Sequence, residues 1–411
     1  MKEGAQKLGI PATSTSEPKK ILIIGFSYLH RDARICRQIE FVKDRYRVWA
    51  AGFSNPLIAG ITYIPLPEPP TTNWRQKAAN LIKLKTRQFD RYYWERYGQY
   101  KEILATGNYD IVIANEIESL PIAYAIAWVQ KAKIVFDAHE YAPREFEDSS
   151  KWRFLYMAFR NHLCRIFLPQ CHAVTTVCEG IADEYREMFK IACQVITNAD
   201  DYLEIMPSAV AVDKIRLVHH GLAIPQRRIE VMIDVMKHLD ERFTLDLFLV
   251  PCDPGYQNKL VKKIGQHQAI RLHPPLAMGS IPKVLNGFDV GIHIIKPINF
   301  NNRHSLPNKF FTFIQSRLAI AIGPSVEMAA ILKRYDLGII TRDYSAKKVA
   351  VALRDLNKEK IVMYKNQAHL AAAELSSAAN KVKFLDILAK LHGPGVPTKP
   401  GEKNENGLQN K

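Results

Sequence analysis

Short runs of apolar residues alternate along most of the chain with longer stretches of helical periodicity. Residues 21–25 form one such run, and Ile35, Ile39 and Val42 then recur at the spacing of one helix face. Strands that lack alternating polar residues are typical of parallel sheets covered by helices on both faces. In the first half of the chain the pattern predicts further strands at residues 47–51, 61–64, 110–114, 134–137, 173–177 and 194–197.

The same alternation starts again in the second half. A strand at residues 215–219 is followed by a helix at 229–239, and residues 207–211, which are proline, serine and small residues, resemble a linker. The pattern predicts five more strands at residues 245–250, 270–272, 290–294, 319–322 and 338–340. The sequence therefore predicts an α/β protein with two Rossmann-like domains, each built on a parallel sheet.

Domain boundaries follow from this pattern and from local composition. We expect disordered ends, because the first and last stretches are polar and rich in proline and glycine. The predicted parts are an N-terminal segment at 1–19, a first domain at 20–205, a second domain at 206–364, a closing helix at 365–392 and a tail at 393–411.

Composition narrows the class of protein further. The chain has 411 residues, of which 47% are apolar and 24% charged, which excludes a wholly disordered or fibrous protein. Six cysteines are scattered without CxxC pairs, so neither a disulfide framework nor a zinc site is predicted. Without a secretory signal or an apolar run long enough to span a bilayer, we expect a cytoplasmic protein, soluble or peripheral on the inner face of the membrane.

The net charge of +16 points to a polyanionic partner, such as an anionic membrane surface, a phosphorylated substrate or a nucleic acid. Nucleic acid is the weakest of these hypotheses, because no helix-turn-helix, zinc-finger or RNA-recognition signature accompanies the charge.

Two basic, aromatic segments could account for part of this charge. Residues 74–101 contain eight basic and two acidic residues, and residues 151–168 have a similar character. Such segments suit an anionic interface, or else their apolar stripes face the protein's own core. The stripe in the first segment comprises Ala78, Leu81, Ile82, Phe89, Tyr92, Tyr93 and Tyr100.

Five motifs lie in the strand-to-helix loops of the two halves. They are Arg31–Gln38, Phe136–Tyr141, Thr176–Ile181, His220–Gly221 with Arg228–Glu230, and Asp289–Phe311. In order and spacing they resemble the GT-B glycosyltransferases, specifically the retaining enzymes of family 4 (group 1). The resemblance implies transfer of a sugar from a nucleoside-diphosphate sugar to a hydroxyl acceptor, lipid-linked or polysaccharide, with retention and without a metal or other cofactor.

The resemblance also implies that the parallel sheets of the two domains (the GT-B fold) face each other across a cleft, with the donor bound to the second domain. A helix capped by Ser305, with Pro307 in its first turn and Lys309 nearby, would direct backbone N–H groups and a positive charge at a diphosphate. The resemblance implies that Arg228 also neutralises this diphosphate. The donor-binding residues predicted in this way are Gly221, Arg228, Ser305, Leu306, Asn308, Lys309 and Thr312.

The acceptor would bind the first domain. The resemblance places His139 beside the reacting sugar, where an imidazole can donate a hydrogen bond to a hydroxyl group or position the acceptor, and we treat it as the catalytic candidate. Asp32, Arg34 and Glu140 are the predicted acceptor-binding residues; helix capping by Asp32 is the structural alternative.

The chain departs from the family pattern at three positions. The paired glutamates are replaced by His304 and Thr312, and the second diphosphate arginine is replaced by Leu222. These changes motivate an alternative function, in which a catalytically impaired glycosyltransferase-like protein serves as a binding or scaffold protein. An epimerase or a phosphorylase of the same fold is a further alternative.

Overall fold

The protein consists of two α/β domains in succession. The structure, a computed structural model, describes residues 17–69, 71–265 and 267–391. The disordered ends predicted from composition lie outside these residues, apart from 17–19.

The first domain is built on a seven-stranded parallel sheet of order β3-β2-β1-β4-β5-β6-β7. Its central strands are buried along their whole length, as their continuous apolar sequences require. The strands are β1 Lys20–Gly25, β2 Arg47–Gly52, β3 Thr62–Pro65, β4 Ile111–Asn115, β5 Lys133–Ala138, β6 Ala173–Thr176 and β7 Gln194–Val195.

The second domain repeats this arrangement with six parallel strands in the order β10-β9-β8-β11-β12-β13. These strands are β8 Ile215–Ala223, β9 Phe243–Pro251, β10 Ile270–His273, β11 Val290–His293, β12 Ala319–Ile322 and β13 Gly338–Ile340. Both sheets have the strand order of a Rossmann fold, so the predicted fold class is confirmed.

Helices cover both faces of each sheet. In the first domain they are α1 Ala33–Val42, α2 Trp74–Lys85, α3 Phe89–Tyr97, α4 Gln99–Leu104, α5 Leu120–Gln130, α6 Ser150–Leu155, α7 Met157–Phe167 and α8 Glu179–Phe189. In the second half they are α9 Glu230–Met236, α10 Pro254–Ile264, α11 Ile281–Leu285, α12 Phe300–Arg303, α13 Asn308–Gln315, α14 Val326–Tyr335, α15 Ala346–Arg354, α16 Lys358–Ala371 and α17 Ser377–Lys390.

The single closing helix predicted at 365–392 is wrong, because the structure has two helices there, α16 and α17. The hydroxyl of Ser376 accepts a hydrogen bond from the backbone N–H of Ala379, and this cap starts a new helix. α17 packs on α1 of the first domain, where the rings of Phe41 and Phe384 lie 6.1 Å apart. The end of the chain therefore returns to the first domain.

The two domains share one apolar core. A continuous buried cluster contains Phe136 and Tyr141 of the first domain together with Phe300 and Phe310 of the second. The crossover between the sheets, residues 196–214, contains neither helix nor strand. In the described part of the chain, no helix combines the length and apolar character that a membrane span requires.

Candidate active site

A cluster of basic side chains surrounds the carboxyl end of β8. Gly221 has φ +135, a conformation that favours glycine, and a Cβ atom there would come within 2.7 Å of Arg227 Nη1 and 2.9 Å of Lys309 Nζ. Lys309 is only 6% exposed, and its Nζ lies 3.5 Å from Nε2 of His219. Two cations thus converge on one glycine at the edge of the sheet where ligands of such folds bind.

Three histidines complete this basic cluster. His219 donates from Nδ1 to the carbonyl of Ile292 at 2.8 Å, which leaves its Nε2 as an acceptor for Lys309. The buried atoms Nε2 of His220 and Nδ1 of His293 have no hydrogen-bond partner among the described residues. Burial and then the charge of Lys309 lower the pKa of His220 to about 3, so this imidazole is neutral at pH 7.

The basic cluster has no compensating acid. Burial, and then the charge of Arg227, holds the pKa of Lys309 well below its usual range. Among the described residues, the groups that shift the pKa values of Lys309, Arg227 and the histidines include no carboxylate. A buried cation without a counterion is costly, and a bound anion would remove that cost. The geometry therefore suits an anionic ligand such as a diphosphate.

The structure brings Arg227, and not the adjacent Arg228 named from the sequence, to the basic cluster. Residues Pro225–Arg227 form a turn of 3-10 helix, and Arg228 follows it with a left-handed backbone, φ 44. This turn directs Arg227 toward Gly221, whereas the exposed Arg228 lines a separate cavity of about 450 Å³ with Lys296 and Tyr344. The handedness of a turn does not follow from residue spacing, so sequence motifs could not separate the two arginines.

The helix that carries Lys309 begins later than predicted. α13 starts at Asn308 with Pro307 at its N-cap, so Ser305 does not cap it and lies in the preceding turn. Asn308 is exposed at the helix start, and Lys309 occupies the first turn as expected. Leu306 is buried and lines a groove between the domains, so its role is apolar packing.

Thr312 faces the crossover between the domains. Its hydroxyl donates to Oδ2 of Asp200 at 2.5 Å and also lies 3.1 Å from the carbonyl oxygen of Asn308. A carboxylate is thus present beside position 312, although it comes from residue 200 and not from a glutamate on the helix. The motif alone could not reveal this, because the two residues are 112 positions apart.

The first domain has a cavity of about 390 Å³ at the carboxyl edge of its sheet. Residues that follow β1, β2, β4 and β5 meet there, as expected for the ligand-binding edge of a parallel sheet. The lining combines aromatic walls with polar groups: Phe26, Phe53, Tyr97, Ser27, Asp32, Arg96, Asn115, Glu116, Glu118 and His139.

His139 is held from both sides in this first-domain cavity. Its Nδ1 lies 3.0 Å from Oε1 of Glu116, and its Nε2 lies 3.1 Å from Oδ1 of Asn115. The amide of Asn115 donates to Oε1 of Gln38, which orients its oxygen toward the imidazole. Both ring nitrogens therefore face acceptors, and the imidazolium form satisfies both.

Opposing effects act on this histidine. Burial alone would lower the pKa of His139, but Glu116, with a smaller contribution from Asp137, outweighs burial and raises the pKa above its ordinary value. Because the folded pKa exceeds the unfolded one, the stabilisation is complete below the unfolded pKa of about 6.5 and is lost as pH rises through the folded value.

We therefore expect His139 to titrate above pH ~6.5 in an NMR experiment on the imidazole protons. Glu116→Gln removes the charge but keeps the shape, and should shift the midpoint to lower pH. An unchanged His139 midpoint in the variant would contradict the arrangement.

The three predicted acceptor-binding residues occupy different places. The guanidinium of Arg34 is buried and donates to both oxygens of Asp137 (2.6 and 2.8 Å), to the carbonyl of Ile196 and to Asn198. These protein contacts engage the guanidinium of Arg34, which lies outside the lining of the first-domain cavity, so acceptor binding by Arg34 stays a prediction. Burial would raise the pKa of Asp137, but Arg34 outweighs burial and lowers it.

Asp32 and Glu140 remain near the cavity. Asp32 caps α1 by accepting from the N–H of Ile35, and it also lines the cavity, so both sequence-based interpretations describe it. Glu140 is exposed and lies outside the cavity lining, where its carboxylate accepts from Nδ2 of Asn301 at 3.3 Å.

The contact between Glu140 and Asn301 is one of several hydrogen bonds that join the first domain to α12 of the second domain. Asn301 of α12 accepts from the N–H of Tyr141 at 2.8 Å, and the N–H of Phe300 donates to Glu147 at 2.7 Å. Tyr141 follows His139 by two residues, and α12 leads directly into α13. These hydrogen bonds therefore fix the first-domain cavity relative to the helix that carries Lys309.

Comparison with known proteins agrees with this architecture. Residues 65–201 match the family model described as Glycosyltransferase Family 4. HepE of Anabaena, solved with UDP and glucose, is 14% identical, with 90% of this chain and 99% of HepE covered at a TM-score of 0.65. A glycosyltransferase from Rickettsia africae is 13% identical, with coverages of 92% and 100% and a TM-score of 0.66.

A third solved structure has the same fold. Sucrose-phosphate synthase of Thermosynechococcus elongatus is 11% identical, with coverages of 91% and 99% and a TM-score of 0.68. At such low identities these structures show the fold alone. Comparison with curated protein sequences gives no significant match.

The two Rossmann-like domains and these structural neighbours show the GT-B fold. Within this fold, residues 65–201 are similar to glycosyltransferase family 4, the family that the sequence motifs resemble.

Proposed function

We propose that this protein transfers a sugar from a nucleoside-diphosphate sugar to a hydroxyl group of a lipid-linked or saccharide acceptor, with retention of configuration. The observation that carries the proposal is the basic cluster at Gly221, where Lys309 is buried beside Arg227 without a carboxylate. A diphosphate would supply the missing negative charge.

The same cations would assist the reaction as well as binding. When the sugar leaves, negative charge develops on the diphosphate, and fixed cations in a water-poor site stabilise that charge without reorganising. Arg227 presents a planar guanidinium suited to two phosphate oxygens, while Lys309 acts as a point charge. Metal-independent catalysis is part of the proposal, with these side chains in the role that a divalent cation would otherwise have.

The first-domain cavity is proposed to hold the acceptor. Phe26, Phe53 and Tyr97 offer apolar and aromatic surface for a sugar ring or a lipid, and the carboxylates of Asp32 and Glu116 can accept hydrogen bonds from hydroxyl groups. His139 would position the acceptor, or would donate a hydrogen bond to the transferred sugar if a sugar hydroxyl replaced one of its two protein acceptors, Glu116 or Asn115.

Calorimetric titration with UDP, GDP and ADP would test the donor half of the proposal. HepE was solved with UDP and with UDP-glucose, so UDP is the first probe. We expect one nucleoside diphosphate to bind at one site and to raise the melting temperature. Transfer from the matching nucleotide-sugar, measured with and without EDTA, would then test turnover and metal independence.

Each outcome of this experiment has a distinct meaning. Donor binding without transfer to any of a panel of hydroxyl acceptors would favour the impaired, scaffold-type alternative. Epimerisation of the donor without an acceptor would favour an epimerase. Absence of both binding and a melting shift for all three nucleotides would overturn the proposal.

A further inference from the structure

Helix α2 turns its apolar stripe toward solvent. Trp74, Ala78, Leu81 and Ile82 recur at the spacing of one helix face, yet Trp74 is 73% exposed and Ile82 is 59% exposed. Leu84 is the one buried residue of this twelve-residue helix. A helix this short is marginal alone in water and normally depends on burial of its apolar face.

The rest of the basic, aromatic segment behaves differently. In α3 and α4 the aromatic members of the predicted stripe are buried in the protein's own core; they are Phe89, Tyr92, Tyr93 and Tyr100. Most of the apolar residues predicted at 151–168 are also buried. The aromatic stripe of α3 and α4 therefore faces the protein's own core. By contrast, α2 and part of α6 leave large apolar side chains exposed to solvent.

The uncovered surface is strongly basic. Residues 71–88 contain five basic residues and no acidic one. Lys83 is paired with Glu95, but in the described structure no Asp or Glu pairs with Arg75, Lys77 or Lys85. A surface with this charge repels other cationic proteins and attracts anionic ones or an anionic bilayer.

A second element extends this surface. The ring of Phe154 in α6 is 72% exposed and lies under Nζ of Lys85 at 5.8 Å. Its neighbours Lys151 and Arg153 are exposed as well. Two neighbouring helices therefore present large apolar side chains among cations, and we call the surface of α2 and α6 the basic aromatic face.

We propose that the basic aromatic face docks the protein onto the surface of an anionic lipid bilayer. Exposed Trp and Phe rings enter the headgroup region, while lysine and arginine stems extend along it and place their charges at the phosphates. The combination of an outward apolar stripe with unpaired cations and no acid is the arrangement that such an interface requires.

The basic aromatic face also lies next to the proposed acceptor cavity, and this part of the inference rests on the proposed function. Pro69 lines that cavity and precedes α2 by five residues, and Arg96 and Tyr97 at the end of α3 line it too. Docking would therefore bring the cavity close to the bilayer, where a lipid-linked hydroxyl acceptor would be found.

Vesicle co-sedimentation of the full-length protein tests the docking. We expect binding to vesicles of phosphatidylcholine mixed with phosphatidylglycerol, weak binding to pure phosphatidylcholine, and release by high salt. The double variant Lys77→Glu/Lys85→Glu should bind the anionic vesicles on the order of 100-fold more weakly. Trp74→Ser/Ile82→Ser should also weaken binding, because it removes the inserted apolar groups.

The matched control is Lys347→Glu/Lys348→Glu, which makes the same charge change on exposed lysines of α15 in the second domain. It should bind vesicles nearly as well as the unaltered protein. Quenching of Trp74 fluorescence by brominated lipids, taken as the difference from a Trp74→Phe protein, gives a second readout that needs no charge variant.

Two results would overturn the proposal: no binding of the unaltered protein to anionic vesicles, or equal losses in the α2 and α15 variants. Capture of an acidic protein or of nucleic acid in place of vesicles would likewise reject a bilayer as the partner. UDP titration of the same proteins keeps this test separate from the proposed function, since surface variants should leave the donor site unchanged.

Discussion

Lys309→Met is expected to weaken donor binding strongly while stabilising the unliganded protein. The lysine is 6% exposed with no carboxylate partner in the described structure, so its charge is costly until an anion arrives. Methionine fills a similar volume without that cost, and the free energy of unfolding should rise by on the order of 1–3 kcal/mol. Loss of a charged hydrogen bond to phosphate should weaken UDP binding roughly 10- to 100-fold or more.

The gain in unfolding free energy from Lys309→Met should also depend on pH. Because the pKa of Lys309 is lowered on folding, its charge destabilises the native state most at low pH, and the deficit disappears as pH rises toward the unfolded value of about 10.4. The stability advantage of Lys309→Met should therefore shrink as pH rises. Urea unfolding at several pH values, with UDP calorimetry at one, measures both effects.

Arg227 and Arg228 provide a matched pair of variants for the UDP-binding experiment. Arg227→Ala should weaken UDP binding on the scale of Lys309→Met, whereas Arg228→Ala should have a much smaller effect because that side chain lines a different cavity. Equal losses from both arginines, or unaltered UDP binding by the Lys309 variant, would remove the basic cluster from the donor site.

The largest loss of stability is expected from Arg34→Ala. It leaves the carboxylate of Asp137 buried with only Thr175, at 2.6 Å, and Gln38, at 3.2 Å, as hydrogen-bond donors. Removing one partner of a buried ion pair costs about 3–5 kcal/mol, because the other charge stays uncompensated. The midpoint of urea unfolding should fall by the corresponding amount, with little change in slope.

Two variants separate this structural role from acceptor binding. Arg34→Ala/Asp137→Asn removes both charges and should recover part of the loss, the signature of a coupled pair. Arg37→Ala, whose guanidinium reaches Asn198 at 3.4 Å, should cost far less. A stable Arg34→Ala protein with only a raised KM for acceptor would instead restore the acceptor-binding role predicted from sequence.

Arg34 and His139 show which features of the first-domain site can be predicted from the sequence. Both were placed at the first-domain site from motifs in strand-to-helix loops, and both do lie at that edge of the sheet. Of these two residues only His139 lines the cavity, because the guanidinium of Arg34 is paired with the buried carboxylate of Asp137 in β5. Loop position follows from the order of elements, whereas the direction of one side chain depends on residues about 100 positions away.

By itself, the sequence determined two parallel sheets with the candidate site residues at their carboxyl edges, since uninterrupted apolar runs can be buried only between layers of helices. It also determined that 74–101 is basic and amphipathic. Tertiary structure alone decided that Arg227 faces Gly221, that Asp200 meets Thr312, and that the stripe of α2 stays uncovered. Periodicity defines the face of a helix, but only the packing of distant segments decides what covers that face.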